Sequence, residues 1–210
     1  MGSTRQRRAW DIASYGFGLG ELLGANHRHL TVDALGLSPG ESVLDVGCGA
    51  GHDFGLLREA VGPHGRVVGV EFSPKLAGRA RARIAEAGWS NVELRHSDAT
   101  ADPMGDAEFD AAVANCSLSA MPAMDAAIDN IHRALKPGGL LMVWDVNPKG
   151  SFRLLYRTLA GAPGVDVSHR IRQRFDDVHM LDGKAQRIAW RSPSPWFLLL
   201  LARKAVRLPH

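Results

Sequence analysis

The stretch VLDVGCGAGHD, residues 43–53, runs an apolar segment and an aspartate straight into Gly47, Gly49 and Gly51. One glycine makes a turn. Three at alternate positions predict a loop with positive φ angles and something lying close against its backbone, because glycine has no Cβ. The following HDFGLLREAV reads as a helix, and a glycine loop between a parallel strand and a helix is a usual seat for a nucleotide-like ligand. The dinucleotide fingerprint G-x-G-x-x-G would need its third glycine at His52, so the G-x-G-x-G spacing departs from it. No Gly-Lys-Ser/Thr follows, which excludes a Walker loop.

The rest of the chain alternates in the same way. Apolar runs at SVLDVG (42–47), RVVGVEFS (66–73), NVELRHSDA (91–99), FDAAVANCSL (109–118) and GLLMVWDV (139–146) read as strands. PKLAGRARARIAEAG opens with a proline suited to a first helical turn, and MDAAIDNIHRALKPGG reads as a helix stopped by Pro-Gly-Gly. Strands separated by helices imply βαβ units and a parallel sheet. After residue 178, AQRIAWRSPSPWFLLLLARK reads as a closing hairpin around a Pro/Ser turn. The expectation is one α/β domain: a helical cover over 1–36, a ligand-binding core over 37–147, a substrate-side segment over 148–178, and a closing hairpin and tail over 179–210.

Composition narrows the class. With 45% hydrophobic and 22% charged residues, the 210-residue chain reads as globular. Cys48 and Cys116 are the two cysteines, far apart and both in apolar contexts, which points to small buried residues in a reducing compartment. The N-terminal MGSTRQRRAWDIASYG lacks the apolar core of a signal peptide, and WFLLLLA (196–202) is too short to span a bilayer, so a cytoplasmic location is expected. The net charge of +3 is unevenly spread: 14 Lys and Arg against 18 Asp and Glu in residues 1–150, but 11 against 4 in residues 151–210. A basic C-terminal third suits an acidic substrate, an anionic membrane surface or a nucleic acid, and equally a solvated surface carrying Arg170, Arg172 and Arg174.

Two acids sharpen the ligand. Glu71 ends the second strand, where a carboxylate can accept from both ribose hydroxyls. Asp98 ends the third, where it can accept from the exocyclic amine of adenine. Both at the edge that carries the glycine loop point to an adenosine site.

With VLDVGCGAG, VVGVEFSP, ELRHSDA, FDAAVANCSL and ALKPGGLLMVWDV in this order and spacing, the chain resembles class I S-adenosylmethionine-dependent methyltransferases over about residues 35–147. The closing hairpin extends the likeness to about 205. The resemblance implies a Rossmann-like seven-stranded, mostly parallel sheet with helices on both faces and a last strand inserted antiparallel between its neighbours. It implies Asp45 and the backbone of Gly47, Cys48, Gly49 and Gly51 around the methionine part of S-adenosyl-L-methionine. It further implies Glu71 on ribose, Phe72 against adenine and Asp98 with Ala99 on the adenine edge. Asn115 matches a common asparagine of the family and is implied as a further cofactor-binding residue.

Within that family the chain is similar to small-molecule enzymes of the ubiquinone/menaquinone-biosynthesis type and to phosphatidylethanolamine N-methyltransferase-like proteins. Ser119-Ala120 stands where many relatives have a His-His pair. NCSL replaces the Asp/Asn-Pro-Pro-Tyr motif of nucleic-acid amine methyltransferases, so no nucleic-acid partner is expected. A small organic acceptor is implied, with a phospholipid amine as the alternative. A cofactor-binding homologue without methyl transfer is a third reading, and an NAD-type oxidoreductase is opposed by His52. Methyl transfer from a sulfonium needs alignment first, and a base only where the acceptor must lose a proton. No fixed catalytic residue is implied; Tyr15, His27 and Asn115 are the catalytic candidates, and Cys116 and Ser117 lie near the acceptor side. His27 and His29 are two apart and do not share a helix face, so no metal site is expected. Residues 5–35 read as two helices around a glycine-rich joint, with 5–30 as a lid. SFRLLYRTLAG, with its Phe152, Leu155, Tyr156 and Leu159 stripe, reads as a second cover.

Overall fold

The computed structural model describes residues 27–146, 166–181 and 197–206. Seven strands, β1 (Ser42–Val46), β2 (Arg66–Glu71), β3 (Val92–His96), β4 (Phe109–Asn115), β5 (Leu135–Val146), β6 (Asp177–Met180) and β7 (Phe197–Arg203), form one sheet in the order β3-β2-β1-β4-β5-β7-β6. β1 pairs in parallel with β2 and β4, and β7 runs antiparallel between β5 and β6. This is the expected Rossmann-like sheet with an inserted last strand.

Strand alternation gives the sheet two faces with separate cores. Val43, Val67, Ala111, Val113 and Met142 face helix α1 (residues 27–35), α2 (Phe54–Val61) and α3 (Pro74–Ala87). Leu44, Val68, Ala112, Leu141 and Leu200 face α4 (Met124–Ala134) and α5 (Val167–Arg172). The start of α3 is well specified: the Ser73 hydroxyl accepts from the Leu76 N–H at 3.2 Å, Pro74 fills the first turn, and Gly88 ends the helix in a left-handed conformation.

Three boundaries differ from the sequence reading. The Pro-Gly-Gly of LKPGG does not stop a helix. α4 ends at Ala134, Leu135 already pairs with Phe109, and residues 136–139 form an irregularity before Leu140 pairs with Ala111. Gly138, at φ +80°, and Gly139 exchange backbone hydrogen bonds with Lys204 beyond β7, so these glycines serve the sheet. The run 109–118 leaves the sheet at Asn115, because Cys116 takes φ +51° and Leu118–Ala120 turns as a 3₁₀ helix. β6 begins at Asp177, ahead of the run at 185–190 expected to form the hairpin's first arm, which lies outside the described residues, as do Tyr15, most of the proposed lid and the 152–159 stripe.

Gly69, inside β2, is where a strand gives up its side chain for a helix residue. A Cβ there would sit 2.4 Å from the Phe54 ring, which is fully buried and has no room to move. Gly69→Ala is expected to cost about 1–3 kcal/mol through overpacking. Gly78 lies on the exposed side of α3 with nothing within 4 Å of its would-be Cβ, so Gly78→Ala should stabilise by about 0.5–1 kcal/mol. Urea unfolding of the two variants should move in opposite directions. A neutral Gly69→Ala would contradict the packing described.

Candidate functional site

The glycine loop lies at the carboxyl ends of β1 and β2, beside the point where chain connections diverge to either side of β1. Gly47 and Cys48 N–H groups donate to the Val70 carbonyl at 2.8 and 3.1 Å, stapling the loop to β2. Gly47, Gly49 and Gly51 all have positive φ. What lies close against two of them is the protein itself. A Cβ on Gly47 would meet the Ser117 Cβ at 2.6 Å, and one on Gly51 would meet the Phe54 ring at 2.6 Å. Only Gly49 faces open space.

Strand pairing puts the polar side chains on one face. Asp45 is paired with Gly69 and with Val113, Glu71 lies two residues beyond Gly69, Asn115 two beyond Val113, and Asn115 is paired with Trp144. Asp45, Glu71, Asn115 and Trp144 therefore share the face covered by α1, α2 and α3, on successive strands.

Three carboxylates are buried here. Glu71 accepts from the Gly49 N–H at 2.9 Å and from the Ser73 N–H at 2.7 Å, so it also ties the loop to the start of α3. Burial raises its pKa, and those N–H groups pull it back. Asp53 pairs with Arg28 of α1 at 3.2 Å and accepts from Asn115 Nδ2 at 2.8 Å. Burial raises its pKa too, opposed by Asn115, Arg28 and His52. Asp45 is the exception. It is 1% exposed, and among the described residues its Oδ2 has no hydrogen-bond partner. Burial first, then the charges of Asp53 and Glu71, push its pKa well above the ordinary carboxylate range. The buried Cys48 thiol, among the same acids, is likewise pushed up, mainly by burial. A cation entering beside Asp45 would relieve all three acids at once.

On the adenine side of the expected site, Asp98 uses Oδ1 to accept from the Thr100 N–H and hydroxyl at 2.9 and 2.7 Å, shaping the turn after β3. Its Oδ2 has no described partner. Phe72 is half-buried beyond Glu71, and Ala99 is buried with its carbonyl accepting from Asn130. His52, at the absent third glycine, lies 3.1 Å from the Arg83 guanidinium, which also donates to the Ala50 carbonyl.

The turn after β4 is clamped from both sides. The Ser117 hydroxyl donates to the Val46 carbonyl at 2.7 Å, and Asp145, wholly buried on the other face, accepts from the Ser119 N–H at 2.9 Å and from its hydroxyl. Burial pushes Asp145 up to about 6 against the pull of those bonds. Ser117 is thus a packing and bracing residue. Cys116 corrects the sequence reading: held left-handed, with its N–H on the Trp144 carbonyl, it is exposed.

Helix α1 closes the edge. Its Arg28 meets Asp53, its buried Thr31 accepts from Asn115 at 3.3 Å, and its His27 ring stacks on Trp144 at 4.4 Å. His29 is exposed. Val32 and Leu35 belong to the core, so the described end of the N-terminal cover is part of the fold. The sequence reading missed Asp53, Arg28 and Trp144. Asp53 was signalled by its place two residues after the last loop glycine, whereas nothing local linked Arg28 to it. In the basic third, Arg170 and Arg174 pair with Asp125 at 3.1 Å each, Arg174 also pairs with Asp129, and Arg172 donates to the Val178 carbonyl.

A family model described as a methyltransferase domain matches residues 37–186. An arsenite methyltransferase of Halobacterium salinarum is 36% identical over 110 residues, covering 52% of this chain and 28% of that protein. A demethylmenaquinone methyltransferase of Listeria monocytogenes is 33% identical over 120 residues, covering 57% and 51%. The chain thus spans about half or less of the length of these relatives. Phosphoethanolamine N-methyltransferase 2 of Haemonchus contortus, solved with S-adenosyl-L-methionine, superposes with a TM-score of 0.70 at 16% identity over 86% of this chain and 53% of that one, a likeness of fold. On the family match, which covers most of the chain, this protein belongs to the methyltransferase-domain family, in its class I, S-adenosylmethionine-dependent group.

Proposed function

We propose that the chain transfers a methyl group from S-adenosylmethionine to a small organic acceptor. The observation that carries this reading is Asp45 Oδ2: a buried carboxylate oxygen with no partner, on the face and edge that hold the glycine loop. A buried acid in that state is costly. It fits the ammonium of the cofactor's methionine part, and Gly49, which faces open space, leaves room beside it. Glu71 accepts from the Gly49, Ser73 and Phe72 N–H groups, and a carboxylate's roughly four acceptor sites leave capacity for a ribose hydroxyl. Asp98 Oδ2, Phe72 and the Ala99 backbone would hold adenine. Cys48, beside Gly49, contributes backbone alone, its thiol being kept protonated.

When bound, the cofactor supplies an already activated methyl on a sulfonium. The chain's own part is to orient the acceptor and keep water away. Asn115 is held by Asp53 and Thr31, and His27 by its stack on Trp144, so both present fixed groups beyond the cofactor residues. Neither holds a position that makes it a base for every acceptor. Tyr15 stays a candidate contact from outside the described residues. A phospholipid amine as acceptor draws no support from Arg170 and Arg174, which are spent on α4 acids. Among the described residues no helix is long and apolar enough to cross a membrane.

Two measurements test the cofactor reading. An ammonium beside Asp45 stabilises its ionised form, so binding below the raised pKa must release a proton. Affinity for S-adenosylhomocysteine should then rise with pH through that pKa and level off above it. Calorimetry in buffers of different ionisation enthalpy should show more proton release by the wild type than by Asp45→Asn, with the variant's affinity lowered about tenfold to a hundredfold. Equal proton release by the variant would remove Asp45 from the site.

Glu71→Ala should weaken binding of both donor and product by about 1.5–3 kcal/mol. Because Glu71 also braces the loop and α3, its thermal midpoint should fall as well. Unchanged affinity in a folded Glu71→Ala protein would overturn the ribose assignment.

A further inference from the structure

Beyond the cofactor residues, the same sheet face carries two more buried polar atoms without partners among the described residues: Asn115 Oδ1 and Trp144 Nε1. They sit on paired positions of β4 and β5, yet do not bond each other. Their orientations are fixed by other contacts. The Asn115 amide must turn its NH₂ toward the Asp53 carboxylate, 2.8 Å away, which leaves the carbonyl oxygen over. The Trp144 indole is stacked against His27 at 4.4 Å and Phe197 at 5.3 Å, with its N–H left over at the ring edge. Native proteins seldom bury unpaired polar atoms, and an acceptor and a donor on paired residues, both held in place and both unpaired among the described residues, offer complementary contacts to an outside group.

Strand order says what that group is. Neighbouring strands are about 4.8 Å apart, so Asn115 and Trp144 lie one and two strands past Asp45, on the side away from Glu71. Anything bound there sits beyond the methionine end of the cofactor. We infer that Asn115 Oδ1 and Trp144 Nε1 form the polar half of the acceptor subsite and recognise a neutral hydroxyl, which donates to the first and accepts from the second. A phosphate or carboxylate would be repelled by the carbonyl oxygen, and Arg28, which reaches this cluster from α1, is already committed to Asp53. An ether lacks the proton that Asn115 requires, and an ammonium lacks the lone pair that Trp144 requires. This inference rests on the cofactor reading above and names the class of acceptor for the same site.

The test uses the full chain saturated with S-adenosylhomocysteine and labelled with ¹⁵N at tryptophan, the Trp144 indole signal being assigned through bonds to its own residue. Phenol, anisole and phenyl phosphate serve as probes. Phenol is expected to move the Trp144 indole N–H signal downfield in a saturable way, with anisole and phenyl phosphate leaving it in place. Trp144→Phe, which keeps an aromatic ring and removes the N–H, should weaken phenol binding by about threefold to tenfold, measured by the line broadening of phenol itself. An indole signal unmoved by phenol, or moved equally by anisole or phenyl phosphate, overturns the proposal. So does undiminished phenol binding by Trp144→Phe. Absence of S-adenosylhomocysteine binding in the first step would overturn the cofactor reading and this one with it, and is recognised before any probe is added.

Discussion

Asp45, Asp53 and Glu71 crowd three carboxylates into one buried sheet edge, and much of the surrounding architecture exists to hold them there. Each would rather be ionised in water, and each is pushed toward protonation by burial. Arg28 comes from α1 to meet Asp53, and the first N–H groups around the loop and α3 converge on Glu71. Among the described residues Asp53 Oδ1 lacks a hydrogen bond but faces Arg28, whereas Asp45 Oδ2 has neither a hydrogen bond nor an ion pair. In a fold with ordinary core demands, such an arrangement would be selected against. It makes sense as a site whose last counter-charge arrives with its ligand.

The same contacts couple the residues proposed for the cofactor to those proposed for the acceptor. Asn115 bonds Asp53, and Asp53 bonds Arg28, whose helix also stacks His27 on Trp144. From the opposite face, Asp145 grips Ser119 while Ser117 grips Val46, so the turn after β4 is fixed relative to the glycine loop. Gly47 has no Cβ because Ser117 occupies its place. In-line displacement tolerates little misalignment, and these braces set the position of Asn115 against the glycine loop.

What could be read from the sequence follows from how local the cause was. The glycine loop, Glu71, Asp98 and the alternating strands are written in adjacent residues, and a parallel sheet follows from them; the inserted last strand was implied by the family resemblance alone. Contacts between distant segments were not legible: Arg28 with Asp53, Ser117 with Gly47, Asp145 with Ser119. LKPGG misled because a proline and two glycines stop helices and make sheet irregularities with equal ease, and only its pairing with residue 204 decides between them. Cys116 misled because an apolar run gives no hint that one residue will turn left-handed and leave the sheet. Gly69 could have been noticed, since a glycine inside a strand signals close approach. It marks the seat of Phe54.

The central claim is that the unsatisfied Asp45 oxygen is the counter-charge for the methionine ammonium of the cofactor. A crystal structure with S-adenosylhomocysteine tests it most directly. The account predicts the ammonium nitrogen about 3 Å from the Asp45 carboxylate, with the ribose hydroxyls at Glu71. A complex in which the ligand is bound with its ammonium elsewhere, and Asp45 Oδ2 still without a partner, would contradict it.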